Sequence, residues 1–217
     1  IPSFGASTEI VFVEKGSTDG TLDEIKRVTG AYVGAKNIRW FEGVVDSKRD
    51  KVRLGFEKAT GEVLMILDAD LTVIPEDLPK FYNALASGRG EFINGSRLVY
   101  PMEEGAMRFF NVLGNKFFSV MFTWLLGQRI KDTLCGTKVL FRKDYEDIVK
   151  GRGYFGDFDP FGDFDLLFGA AKLNLKIVEM PIRYQARTYG ETNIKRWRHG
   201  VILLRMVWFA MGRIKFI

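Results

Sequence analysis

Short runs of β-branched and other apolar residues alternate along the chain with longer stretches in which apolar residues recur at helical spacing. This is the pattern of an α/β domain with a mostly parallel central sheet flanked by helices. The short runs predict strands at Glu9 to Val13, Asn37 to Phe41, Val63 to Leu67, Glu91 to Asn94, Thr137 to Phe141 and Lys176 to Met180. Helices are expected over most of the intervals. Thr21 to Thr29 and Ser47 to Ala59 fit the amphipathic period, and Pro75 followed by Glu76 and Asp77 is a proline-first, acid-rich helix start. Arg108 to Leu126 predicts a long helix whose apolar residues cover more than a core-facing stripe. A second apolar amphipathic helix is expected from Trp197 to Ile217. The chain therefore divides into a domain at 1–195 and a C-terminal, membrane-proximal helix at 196–217.

Composition narrows the picture. With 217 residues, 47% hydrophobic and 27% charged, the chain can bury a real core, which excludes a disordered segment. A single cysteine, Cys135, excludes a disulfide framework and a multi-cysteine zinc site, and a buried thiol is its simplest use. The net charge of +5 includes basic residues set among apolar ones near the C-terminus: Lys195, Arg196, Arg198, Arg205, Arg213 and Lys215. That arrangement favours a phosphate or an anionic membrane over nucleic acid as partner. Arg205, Arg213 and Lys215 also interrupt the last apolar stretch, so no uncharged run approaches a full membrane span. No signal peptide is visible, and because the chain opens on Ile1 rather than an initiator Met, a fragment is expected.

Chemistry concentrates where the strand Val63 to Leu67 runs into Asp68-Ala69-Asp70, which puts two carboxylates at a strand's C-terminal end, the place where open α/β sheets bind ligands. Carboxylate oxygens hold hard cations such as Mg2+ or Mn2+, and such a cation can clamp a diphosphate leaving group. The plainer role for either aspartate is capping the turn that follows. A second strand, Glu9 to Val13, runs into Glu14-Lys15-Gly16-Ser17-Thr18-Asp19-Gly20-Thr21, a polar turn and helix start in which Glu14 can accept hydrogen bonds from a base or ribose.

That segment resembles the Asp-Asp-Gly-Ser-x-Asp-Gly-Thr element of the large family of inverting glycosyltransferases with a GT-A (Rossmann-like) fold, with Glu14 and Lys15 in place of the paired aspartates. Asp68-Ala69-Asp70 falls where that family carries its Asp-x-Asp. Further elements follow in order: Asn94-Gly95-Ser96-Arg97, Asp132-Thr133-Leu134-Cys135-Gly136-Thr137-Lys138, Gly162-Asp163-Phe164-Asp165 and Arg187-Thr188-Tyr189-Gly190-Glu191-Thr192-Asn193-Ile194. Together they are similar to the dolichyl- and polyprenyl-phosphate glycosyltransferases, which include dolichyl-phosphate glucosyltransferases and dolichol-phosphate mannose synthases. The resemblance runs from Glu9 to about Lys195.

The resemblance implies metal-dependent transfer of a sugar from a nucleotide-diphosphate sugar to a polyprenyl phosphate, by a peripheral enzyme on the cytoplasmic face of a membrane. It implies metal ligation by Asp68 and Asp70, donor contacts from Glu14, Ser17, Asp19, Asp68 and Arg97, and acceptor contacts from Arg187, Lys138, Arg108 and Asn193. Asp163, Asp165 and Arg187 are the implied catalytic residues, with Asp165 favoured as base or as the group that orients the sugar. A phosphate acceptor is already ionised at neutral pH and needs less help from a base than a hydroxyl does. Helix capping is the competing role for the Asp163 and Asp165 pair, and a solvated surface for each basic residue alone. The apolar segments Arg108 to Leu126 and Trp197 to Ile217 are the membrane-facing candidates, with a buried core helix or a homo-oligomer interface as the competing uses.

Two readings compete. A nucleotidyltransferase would also set carboxylates and a metal at strand ends, but the glycine-rich basic phosphate loop it needs is not seen; a non-catalytic membrane-docked module would keep the fold without the donor pocket. Members of the resembled family begin with a further strand, similar to Val-Val-Ile-Pro-x-x-Asn-Glu, for which Ile1 to Thr8 make a poor substitute. Its expected place is between the Glu9 and Val63 strands.

Overall fold

A computed structural model describes residues 1–34, 36–43, 47–97, 109–154, 162, 164–183, 185 and 196–214. Among these residues six strands and seven α-helices follow in the order β1 (Glu9–Glu14), α1 (Thr21–Ala31), β2 (Asn37–Glu42), α2 (Lys48–Lys58), β3 (Val63–Met65), α3 (Leu78–Ala86), β4 (Phe92–Ser96), α4 (Phe109–Leu126), β5 (Lys138–Phe141), α5 (Arg142–Gly151), α6 (Phe164–Lys172), β6 (Ile177–Pro181) and α7 (Arg196–Ile214). Each expected strand is present to within two residues at either end. The helix starts follow local chemistry: Ser47 caps α2 by accepting from the Asp50 N–H at 3.1 Å, and Pro75 opens a 3-10 turn that leads into α3.

The strands form two sheets, a parallel β1–β2 pair and a four-stranded sheet in the order β3–β5–β4–β6. In the larger sheet β4 and β6 are parallel, while β5 runs antiparallel to both β3 and β4. Three of its strands thus point one way and β5 is inserted against them. Among the described residues no strand pairs the β1–β2 sheet with the larger one.

Alternation along the strands sorts side chains onto two faces. Leu64, Phe92, Leu140 and Ile177 enter one core with Phe56 of α2, Phe118, Phe122 and Leu125 of α4, Phe164 and Leu167 of α6, and Leu203, Met206, Val207 and Ala210 of α7. Ile93, Val139 and Met180 enter the other, under Phe81, Ala84 and Leu85 of α3. The helix α7 therefore shares the main core and packs along α4. Both faces of the sheet are covered, which leaves the strand ends as the place for a site.

Candidate active site

The first turns of α2 hold the site together. Lys48 sets its Nζ 2.9 Å from Asp68 Oδ1 and 3.1 Å from Oδ2. One turn on, Lys51 Nζ donates to the Lys15 carbonyl at 3.4 Å, on the loop that follows β1. Arg53 then reaches Asp165 Oδ2, with Nη2 at 3.0 Å. The first turns of this helix thus touch the β1 loop, the Asp68 carboxylate after β3 and the start of α6. Gly162, at φ 88°, packs so closely on this helix that an added Cβ would lie 2.4 Å from the Arg49 nitrogen. Only glycine fits there, both for its φ and for the approach.

Asp68 is half-buried at the end of β3, whose pairing continues as Ile66 N–H donates to the Lys138 carbonyl at 3.0 Å. Its carboxylate lies directly on the backbone of Gly136: a Cβ there would stand 2.2 Å from Asp68 Oδ2 and 2.8 Å from Lys48 Nζ. Asp70 is turned by its own loop, where Oδ1 accepts from Thr72 N at 3.2 Å and from Thr72 Oγ1 at 2.8 Å. Between them and the following strand segment, Leu71 is exposed and held at φ 52°, a conformation unfavourable for a side chain with a Cβ. Strain of this kind collects at functional loops. Among the described residues no group of three or more His, Cys, Asp or Glu side chains converges on a metal-sized site.

Glu14 is buried at the end of β1, where Oε1 accepts the Ser17 N–H at 2.8 Å. The hydroxyl and N–H of Ser17 hold its carboxyl below the usual glutamate range. Asp19 similarly accepts from Thr21 Oγ1 at 2.6 Å and from Thr21 N at 3.2 Å, and these bonds lower its pKa. Glu14, Ser17 and Asp19 therefore order one loop beside Lys15.

Two of the basic residues expected at the ligand are placed inside. Arg97 is buried, with Nε 2.7 Å from Asp132 Oδ2 and Nη2 2.7 Å from Oδ1, a bidentate pair closed by the Arg97 N–H on Oδ2 at 3.0 Å. Burial alone would raise the Asp132 carboxyl, but the Arg97 charge, its hydrogen bonds and the Leu134 N–H outweigh that and hold it below the ordinary value. Lys138 is fully buried and donates through Nζ to the Cys135 carbonyl at 2.6 Å. The physical reason is register: Asn94 faces Lys138 across β4 and β5, so both side chains start in the sheet's interior rather than at its rim. Both residues brace the loop that carries Gly136 beneath Asp68. Burial and the neighbouring Asp132 charge push the Cys135 thiol up to about 11, which leaves it an unreactive packing group.

Asp165 sits in the first turn of α6, buried, and pairs with Arg152 Nε at 3.1 Å as well as with Arg53. Its charge is thus compensated by guanidinium groups from α2 and from the turn after α5. Asp163, Arg187, Arg108 and Asn193 lie outside the described residues. Sequence reading missed Lys48, Arg53, Arg152 and Asp132 as parts of this region; Asp132 lies in a motif already singled out, while the other three, two on α2 and one in the turn after α5, carry no local signal.

A family model described as glycosyl transferase family 2 matches residues 5–149. The chain is 27% identical over 195 residues to glycosyltransferase AglJ of Haloferax volcanii, covering 89% of this chain and 60% of that protein. It is 28% identical over 194 residues to a dolichol-phosphate mannosyltransferase of Pyrococcus furiosus, covering 88% and 52% respectively. The chain therefore spans between half and three fifths of the length of these relatives. In structure it is similar to glucosyl-3-phosphoglycerate synthase from Mycobacterium tuberculosis, solved with Mn2+, uridine diphosphate and glucosyl-3-phosphoglycerate, with a TM-score of 0.63, 16% identity, and coverage of 95% of this chain and 68% of that one. The fold is of the GT-A type, and a match over residues 5–149 establishes that the chain belongs to glycosyl transferase family 2.

Proposed function

We propose that this glycosyltransferase chain moves a sugar, with inversion, from a nucleoside-diphosphate sugar to a polyprenyl phosphate, using Mg2+ or Mn2+ at Asp68 and Asp70. The observation that carries the reading is the Asp68 carboxylate, seated on Gly136 at the end of β3 and faced by the Lys48 ammonium. Two half-buried carboxylates in adjacent turns suit a hard cation, with diphosphate and water oxygens completing its shell. Bound there, the ion would offset the charge that develops on the departing diphosphate.

The chain's own residues supply the rest. Lys48 and the basic first turns of α2 favour the diphosphate electrostatically, and the ordered loop of Glu14, Ser17 and Asp19 offers the nucleoside its polar groups. Asp165, paired with Arg53 and Arg152, suits holding the sugar in place better than taking a proton, and an ionised phosphate acceptor asks for no strong base. Arg187, Arg108 and Asn193 are assigned to the acceptor phosphate, and Arg97 and Lys138 to bracing the Gly136 loop. The name of the Pyrococcus relative supports the lipid phosphate, and the Mn2+ and uridine diphosphate of the structural neighbour support the donor and metal.

The test is to incubate the protein with Mn2+, a panel of nucleoside-diphosphate sugars and a short-chain polyprenyl phosphate, and to determine the anomeric configuration of the product by NMR. Transfer to the phosphate with inversion is expected. Retention, or hydrolysis of donor with no lipid product, would overturn the reading.

A further inference from the structure

The two long helices expose apolar residues in the same pattern. On α4, Phe117, Val120 and Trp124 are 51%, 65% and 50% exposed; on α7, Val201, Leu204 and Trp208 are 49%, 47% and 76% exposed. Both sets fall at i, i+3 and i+7, which is one stripe along a helix. The opposite stripes, Phe118, Phe122 and Leu125 on α4 and Leu203, Met206 and Ala210 on α7, enter one shared core. Since the helices pack on each other and turn their inner stripes to the same core, their outer stripes face away from it on one side of the molecule. Soluble surfaces scatter such residues singly, and six half-exposed ones in two stripes mark an interaction surface.

Charge says what that partner is. Neither 109–126 nor 196–214 contains an Asp or Glu, whereas Lys116 and Arg205 are exposed, four residues from Val120 and Val201 respectively and so beside the apolar stripes. Pairing with a second copy of this face would set these cations against one another with no acid to meet them. A bilayer carrying anionic headgroups accepts both features: the apolar side chains enter the acyl boundary, the tryptophans sit at headgroup level and the cations meet lipid phosphates. No helix among the described residues is long and apolar enough to cross a membrane, so this contact lies on the bilayer and not through it.

We propose that the outer faces of α4 and α7 together form a docking surface for an anionic lipid bilayer. The inference stands on exposure and charge, and it adds to the proposed transfer the place where a lipid-linked acceptor would be met.

Vesicle co-sedimentation of the full 217-residue chain tests it, with phosphatidylcholine alone against phosphatidylcholine mixed with phosphatidylglycerol. Binding is expected to rise with the anionic lipid, and brominated lipid is expected to quench tryptophan fluorescence. Arg205→Glu should weaken binding at least about fivefold, and Trp124→Ser with Trp208→Ser at least about tenfold. Circular dichroism should show both variants folded, since the altered side chains are exposed. Transfer to a water-soluble short-chain prenyl phosphate should stay unchanged in them, which separates loss of docking from loss of the chemistry. Vesicle binding that ignores all these substitutions would overturn the proposal, as would a concentration-dependent dimer of the unaltered chain that the tryptophan substitutions dissolve.

Discussion

Lys48 and Asp68 form an ion pair, 2.9 Å apart, that joins the first turn of α2 to the end of β3 directly above Gly136. With both side chains more than a third exposed, the pair itself adds little to stability. Its importance is positional. A methyl group on Gly136 would occupy the place of the Asp68 carboxylate, whose displacement a mobile side chain tolerates but a ligand geometry does not. Gly136→Ala is therefore expected to change thermal stability little and to reduce turnover about a hundredfold, the scale of loss for a misplacement near 1 Å. Denaturation and steady-state kinetics on the same preparation check this; equal losses in both would show that Gly136 serves the fold.

The turn after Asp70 stores strain that glycine would relieve. Leu71 is exposed at φ 52°, so its side chain contributes little packing to offset the left-handed backbone. Leu71→Gly is expected to stabilise the protein by about 1 kcal/mol, the cost of that conformation less the extra freedom glycine gains when unfolded. Chemical denaturation measures it, and a destabilised variant would mean that Leu71 has a packing partner the account omits.

Asp132 and Arg97 make the buried counterpart to the exposed pair. Breaking it strands a buried guanidinium, so Asp132→Asn is expected to cost about 3 kcal/mol or more. The pH dependence follows from the sign of the shift: folding holds the Asp132 carboxyl below its ordinary value of 3.8. The stabilisation is thus complete above that value and is lost as the pH falls through the lower folded-state value. In acid titrations of stability, the variant should lose less than the unaltered protein below the ordinary aspartate value. An identical acid limb in both would rule out Asp132 as its source.

Much of this was legible in the sequence, for a physical reason. All six strands alternate or run apolar over a few residues, and the carboxylates Asp68 and Asp70 follow directly on one of them. Both signals are local. The α5 helix is short and mostly polar, burying only Tyr145 and Ile148, so few apolar positions mark it. Arg97 and Asp132 are 35 positions apart, and Arg53 and Asp165 are 112 apart. No spacing rule says that such residues meet, nor that a basic residue at a strand end turns inward. The apolar excess of 108–126 and 197–217 was visible, but its division into a buried inner stripe and an exposed outer one depends on how the two helices pack.

The edges of β1 and β3 give a prediction about assembly of the sheet. Among the described residues β1 pairs only with β2, and β3 only with β5, so each offers one row of unpaired backbone groups. A chain extended upstream by one strand and helix is expected to melt several degrees higher and to associate less in light scattering than residues 1–217 alone. Equal melting and equal association would mean that these edges need no added strand.

The central claim is that Asp68 and Asp70 hold the cation on which donor binding depends. Calorimetric titration of a nucleoside-diphosphate sugar, with and without Mn2+, tests it in the unaltered protein and in Asp68→Asn and Asp70→Asn. The account predicts Mn2+-dependent binding that both substitutions weaken severely, Asp70→Asn more than Asp68→Asn, while circular dichroism and melting stay unchanged because the lost charge faces a cation and not the core. Donor affinity that is the same in all three proteins, or indifferent to Mn2+ in the unaltered one, would contradict it.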